Sequence, residues 1–135
     1  MMLQVRETTP EDIKSTNKWM LAWNKNEREE HLYPTKGLIL EDTDTGEGIW
    51  AGYVWITNSA IAYIGFVTRN PTYSKKKIAK QNKENFLREL ISYANKLGYS
   101  YITTWTEDPF LISDYKKIGF TETSDKTSEF ILKII

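Results

Sequence analysis

The sequence predicts an α+β domain built on a mixed, mostly antiparallel sheet covered by helices. Three observations predict it. Residues 37–68 read as consecutive β-rich segments separated by turn chemistry. The stretch Lys75–Leu97 repeats apolar residues at helical spacing. A further β-rich run, Ser100–Thr106, follows it, so the long helix can serve as a crossover that lays two strands parallel. At 135 residues the chain suits one domain, 1–135, with one core.

The elements are justified in chain order. Leu3–Arg6 alternates and suits a short edge strand. Thr9 can cap free backbone N–H groups, Pro10 fits a first helical turn, and Glu11 and Asp12 suit the positive helix end. That helix continues through Ile13, Trp19, Met20 and Trp23, and the polar stretch Asn24–Glu30 is loop or a second short helix. Gly37–Asp42 reads as a strand and Thr43–Gly48 as a turn. Ile49–Thr57 is rich in Trp, Tyr, Val and Ile, and a turn at Asn58-Ser59 follows. Ala60–Thr68 is nearly unbroken in its apolar character, as a central strand buried on both faces would be.

Asn70-Pro71-Thr72-Tyr73 breaks that strand. In the helical stretch, Ala79, Phe86, Leu87, Leu90, Ile91, Ala94 and Leu97 form the apolar face, and Gly98 ends it. Asp108-Pro109 starts a short helix through Leu111, Ile112, Tyr115 and Ile118 to Gly119. Phe120–Ser124 and Ser128–Ile134 could close the sheet as a hairpin.

Composition narrows the function. Apolar residues at 40% allow a packed interior, and the charged fraction of 27% is ordinary for a soluble protein. Lys plus Arg equals Asp plus Glu at 18 each, which argues against general nucleic-acid binding, although Lys75–Lys83 could form a local basic patch. The chain has no cysteine, so thiolate nucleophiles, disulfides and cysteine-bound zinc are excluded. Met1–Glu7 lacks the apolar run of a secretory leader, and no window reaches the roughly 20 apolar residues of a membrane helix. A cytoplasmic protein with no membrane, metal or nucleic-acid partner is expected.

Two local sequences carry a resemblance. Asp108-Pro109-Phe110-Leu111-Ile112-Ser113-Asp114-Tyr115-Lys116-Lys117-Ile118-Gly119-Phe120 resembles the Asn-Pro-(five residues)-Tyr-Glu-Lys-Leu-Gly-Phe segment of the GNAT superfamily of acyl-CoA-dependent N-acetyltransferases. Asp108 stands where that family usually has Asn. Tyr73-Ser74-Lys75-Lys76-Lys77-Ile78-Ala79 falls where the family places an Arg/Gln-x-x-Gly-x-Gly/Ala turn that binds the cofactor pyrophosphate through backbone N–H groups. Ser74 replaces the usual Arg or Gln, and Lys77 replaces the central Gly. A lysine is tolerated there if it keeps ordinary helical angles. The interval from Ala79 to Gly98 is about one helical turn longer than the family's. Either a turn has been inserted after Ala79, or the phosphate turn is Ile78–Lys83. The resemblance covers nearly the whole chain and is most specific from Ala51 to Phe120.

It implies a sheet of six to seven strands with helices on both faces, and acetyl-CoA as co-substrate. Phe66, Val67 and Thr68 would offer backbone groups to the pantetheine arm, and Lys75, Lys76, Lys77, Ile78, Ala79 and Asp108 would contact the cofactor. The family's amine attacks the thioester directly, so the leaving thiolate needs a proton. The resemblance assigns that job to Tyr115, whose phenol type, with an unperturbed pKa near ~10, is protonated at neutral pH. No general base is evident; Glu41 or Asp42, or Glu107 and Asp108, could act as one through water, Asp108 reads first as a helix cap, and His31 lies in a polar segment. Trp19, Trp23, Tyr33, Trp50, Tyr53, Trp55 and Trp105 are candidate walls for an acceptor site between the first helix and the middle strands. The implied acceptor is a primary amine on a small molecule or peptide, and the resemblance admits a homodimer. A non-catalytic GNAT-like binding domain is the alternative reading.

Overall fold

Thr9 and Pro10 do start the first helix, and the reason lies in Asp12. Its carboxylate accepts the Thr9 N–H at 2.7 Å and both ends of the Arg6 guanidinium at 2.7 and 3.1 Å. A buried acid in the first turn thus satisfies an orphan donor and ties the preceding strand to the helix. The computed structural model describes residues 2–25, 27–106, 108–123 and 132–133. They fall into two compact units, Met1–Thr104 and Trp105–Ile135, each considered by itself.

The first unit runs β1 (Leu3–Glu7), α1 (Pro10–Ala22), a 3₁₀ turn (Glu30–Leu32), β2 (Gly37–Asp42), β3 (Glu47–Trp55), β4 (Ile61–Arg69), α2 (Lys76–Gln81), α3 (Lys83–Lys96) and β5 (Tyr101–Thr103). The five strands form one sheet in sequential order. β1 to β4 pair antiparallel and β5 joins β4 parallel, as a helical crossover allows. On one face Trp19 and Met20 of α1 pack with Tyr33, Ile39, Ala51 and Tyr53. Between Ala51 and Tyr53, Gly52 turns to the opposite face, where a Cβ would lie 2.5 Å from Leu90 Cδ1. The missing side chain lets α3 sit close, with Phe86, Leu87, Leu90 and Ala94 buried.

Five expectations are corrected. The helix expected over Lys75–Leu97 is two helices divided at Asn82 (φ −99°, ψ 2°). The Asn82 side chain donates to Ile78 O at 2.8 Å, competing with the backbone ladder within a run that has no apolar residue to hold it on the sheet. The strand expected over Ser100–Thr106 has only three residues. It stops where the Thr104 hydroxyl donates to Ile64 O at 2.8 Å, putting a side chain where a ladder N–H would be. Ala60–Thr68 is not buried throughout, because Tyr63, Phe66 and Val67 are half-buried. The described sheet has five strands rather than six to seven. Of the expected closing hairpin, residues 120–123 are not strand, and 124–131 and 134 lie outside the described residues.

The second unit contains α4 (Pro109–Lys117). Asp108 caps it, its carboxylate accepting the Phe110 N–H at 2.9 Å. Gly119 (φ 111°) then turns the chain, and Phe120 N–H donates to Tyr115 O at 2.9 Å.

Candidate active site

The parallel ladder covers only Ile61↔Tyr101, Ala62↔Ile102 and Tyr63↔Thr103, whereas β4 continues to Arg69. Beyond Tyr63, β4 has no ladder partner on that side among the described residues. The same stretch is irregular on its other side. Ala51 pairs with Thr68 and Tyr53 with Gly65, so Phe66 and Val67 both sit opposite Gly52. This is a β-bulge, and Phe66 takes φ 53° within it. The Phe66 carbonyl accepts the Thr68 hydroxyl at 3.0 Å. The three β4 residues expected at the cofactor arm therefore occupy a bulge on a stretch of β4 that, among the described residues, is paired on its β3 side alone.

A left-handed φ costs a residue with a Cβ about 1–2 kcal/mol. Glycine avoids that but gives up about 0.5–1 kcal/mol of chain entropy. Phe66→Gly is therefore expected to be at least as stable as Phe66→Ala, by up to about 1.5 kcal/mol. Both variants lack the ring, so denaturant melts of the pair isolate the backbone strain. A less stable Phe66→Gly would show that no strain is stored there.

Aromatic rings line the α1 side of the bulge. The Phe66 ring lies 4.8 Å from Tyr33 and 5.1 Å from Trp55. Tyr33 packs edge-on to Tyr53 at 5.0 Å, and Trp55 meets Tyr63 at 5.0 Å. Gly65 accommodates this row, since a Cβ there would be 2.8 Å from both the Trp55 and Tyr63 rings. Burial pushes the Tyr33 phenol far up and the Tyr53 phenol to about 12, so both stay protonated at neutral pH. Asn17, buried on α1, accepts the Tyr33 hydroxyl at 2.6 Å and the Arg28 N–H at 3.2 Å, and donates to Arg28 O at 2.7 Å. This clamp holds Arg28 with its guanidinium 5.9 Å from the Phe66 ring centre.

Of the seven candidate aromatics, Trp19, Tyr33, Trp50 and Tyr53 are buried, and Trp55 is half-buried beside the bulge. Trp23 is exposed and donates its indole N–H to Arg69 O at 2.8 Å. Trp105 belongs to the second unit. Sequence reasoning missed Asn17 and Arg28, which carry no motif. Asn17 lies within the polar run Lys14–Lys18, so no local signal sets it apart.

The loop from β4 to α2 is tied down by side chains. Asn70 donates to Gly48 O at 2.8 Å and accepts from the Thr72 N–H and hydroxyl at 3.0 and 2.8 Å. The Tyr73 hydroxyl and the Lys75 ammonium both reach Asp42 Oδ2, at 2.8 and 3.3 Å, while Asp42 Oδ1 accepts the Asp44 N–H at 3.0 Å. Trp50 donates its indole N–H to Ala79 O at 2.8 Å and so fixes α2 to β3. Lys76 Nζ reaches Pro71 O at 3.2 Å, Lys77 is exposed, Ile78 is half-buried and Ala79 is buried. Lys77 lies in α2, outside the positive-φ positions, which meets the condition for a lysine there. Helices begin at both Lys76 and Lys83, one for each register of the phosphate turn.

The alternative bases are differently placed. Tyr73's hydroxyl, more than any other group, holds the buried Asp42 carboxyl below the usual range, which makes it a weak base. Glu41 pairs with Arg6 at 3.1 Å. His31 is 75% exposed and 3.1 Å from Glu29. Asp108 is the α4 cap, and Glu107 lies outside the described residues. Tyr115 is buried in the second unit with its ring 5.1 Å from Phe120.

The Asp42–Tyr73 pair sets a pH window. Asp42's folded pKa is depressed, so its stabilisation is complete above the unfolded value near about 3.9 and is lost as pH falls through the folded value. Burial, then Asp42, pushes Tyr73 up to about 12. Its stabilisation is complete below the unfolded value near ~10 and is lost as pH rises towards the folded one. At neutral pH, Tyr73→Phe is expected to cost about 2 kcal/mol, the effect of a hydrogen bond to a charged group. Urea melts across pH should show that cost constant in the neutral range and shrinking in strong acid, and a constant cost throughout would refute the pairing.

No protein-family model matches the chain, and no curated protein matches it in sequence. Solved structures do match in fold. Glucosamine-6-phosphate N-acetyltransferase from Arabidopsis thaliana is 12% identical, with TM-score 0.68 over 96% of this chain and 99% of that one. The ribosomal-protein-S18-alanine N-acetyltransferase from Escherichia coli is 14% identical, with TM-score 0.69 over 91% of this chain and 80% of that one. A predicted acetyltransferase from Clostridium acetobutylicum, solved with acetyl-CoA, is 18% identical, with TM-score 0.66 over 96% of each chain. The fold is GNAT-like.

Proposed function

We propose that this chain is an N-acetyltransferase that moves an acetyl group from acetyl-CoA to a primary amine on a small molecule or peptide. The observation that carries this is the β4 edge, freed from β5 beyond Tyr63 and bulged at Phe66. An extended arm can lie along such an edge as an added strand, taking backbone hydrogen bonds from Phe66–Thr68. Its diphosphate would then lie against Ser74–Ala79, where Lys76 and Lys77 are exposed. The acceptor would approach from the aromatic side, past Trp55, Tyr63 and Arg28. The neutral amine attacks the thioester carbonyl to form the C–N bond, the C–S bond breaks, the thiolate takes a proton from the Tyr115 hydroxyl, and the proton shed by the new amide nitrogen passes through water to restore the phenol.

Acetyl-CoA is expected to raise the melting temperature, since a ligand of the native state must stabilise it. Amine-dependent release of free thiol then reports turnover without background, because the chain has no cysteine. A second reading, a GNAT-like domain that binds without catalysis, draws on the capture of Lys75 by Asp42. It predicts a thermal shift with no thiol release across a broad amine panel. Absence of any shift at millimolar acetyl-CoA refutes the enzyme reading.

A further inference from the structure

Asp42 sits at the end of β2, and its side chain is wholly removed from solvent. It accepts the Tyr73 hydroxyl and the Lys75 ammonium on one oxygen and the Asp44 N–H on the other. Tyr73 is itself 1% exposed, so this anchor lies under the loop rather than at its surface. The loop Asn70–Lys75 contains no glycine and has no positive φ. Its path is therefore imposed by side-chain anchors and not by special backbone angles. Two of those anchors, Tyr73 and Lys75, converge on one carboxylate more than thirty residues away in sequence. Lys75 is also the residue immediately before α2, which has no side-chain hydrogen bond at its cap. Asp42 consequently sets where the turn Ser74–Ala79 begins.

We propose that Asp42, acting through Tyr73 and Lys75, is a positioning residue for the diphosphate end of the CoA donor. It does not touch the donor. It holds the turn that does, and so governs affinity for the nucleotide half while leaving the acyl-transfer centre alone. This inference rests on the acetyl-CoA reading given above.

The test compares two donors, acetyl-CoA and S-acetylpantetheine, the latter lacking the diphosphate and nucleotide. In Asp42→Asn and Tyr73→Phe the KM for acetyl-CoA is expected to rise about tenfold, the effect of one hydrogen bond to a charged group. kcat should stay within about twofold, the signature of lost uniform binding. The KM for S-acetylpantetheine should not move. A residue that merely stabilised the fold would raise both KM values together, and that result overturns the proposal, as does an unchanged KM for acetyl-CoA. Tyr73→Phe keeps the ring and carries the test if Asp42→Asn does not fold. Should the wild type bind CoA without turnover, calorimetric Kd values for CoA and pantetheine take the place of the two KM values, with the same expected contrast. A wild type that binds neither donor removes the acetyl-transfer reading itself, and this inference with it.

Discussion

Tyr115→Phe is expected to lower kcat by about 10²- to 10⁴-fold, the range of a single positioned acid. Affinity for acetyl-CoA should stay within about twofold. The substitution removes one hydroxyl from a ring that is 7% exposed and packed against Phe120, so α4 should keep its shape. The phenol is proposed to act only when the C–S bond breaks, on a sulfur that gains negative charge in the transition state. An interaction made only there lowers kcat and kcat/KM together and leaves ground-state binding intact. Thiol release measures kcat, and calorimetry with acetyl-CoA measures affinity. A variant as fast as the wild type would remove Tyr115 from the chemistry. A variant that lost affinity in step with rate would make it a packing residue of the second unit.

The residues that reveal most of the fold are local ones. Thr9-Pro10, Asp108-Pro109 and Gly119 each set a helix boundary through a hydrogen bond or a φ that neighbours in sequence decide. The meander of β2, β3 and β4 is legible because turn chemistry at Thr43–Gly48 and Asn58-Ser59 separates runs of β-forming residues. What escaped is what pairing decides. An apolar run such as Ala60–Thr68 reads the same whether or not it carries a bulge. The bulge exists because Gly52 faces two residues of β4, and that register is a property of two strands. The early end of β5 likewise depends on Thr104 reaching Ile64 across the ladder.

The candidate site shows the same division. Phe66, Val67 and Thr68 are expected at the cofactor arm from the resemblance alone, and Asp108 is legible in sequence as a helix cap. Lys75 was expected to attract phosphate as one of three adjacent lysines. Its ammonium instead lies 3.3 Å from Asp42, a partner on another strand that no local pattern announces. A lysine run looks like a uniform positive patch until the fold distributes its members. Lys76 and Lys77 remain on the surface, whereas half-buried Lys75 has its ammonium turned to Asp42.

Asn17→Ala is expected to cost about 2 kcal/mol, because it removes hydrogen bonds from three polar groups at once and leaves the buried Tyr33 hydroxyl only the weak Met20 Sδ acceptor at 3.2 Å. The Tyr33 hydroxyl loses its 2.6 Å acceptor, and Arg28 loses partners for both its N–H and its C=O. The Tyr33 side chain is buried, and its phenol cannot escape the loss by ionising, since burial already holds that pKa far above neutral. A buried donor left unsatisfied costs about 1–3 kcal/mol; the Met20 sulfur, a weak acceptor, offsets part of that for Tyr33, and the backbone groups of half-buried Arg28 recover part of their loss from water. Asn17→Asp separates the contributions. It keeps an oxygen for the Tyr33 hydroxyl and the Arg28 N–H but sets a second oxygen against Arg28 O, so it should fall between wild type and alanine. Denaturant melts rank the three proteins. If the clamp holds Arg28 beside Phe66 for the acceptor, both variants should also raise the amine KM and leave the acetyl-CoA KM unmoved. An alanine variant as stable as wild type would mean that α1 and the segment around Arg28 are held by the aromatic row alone.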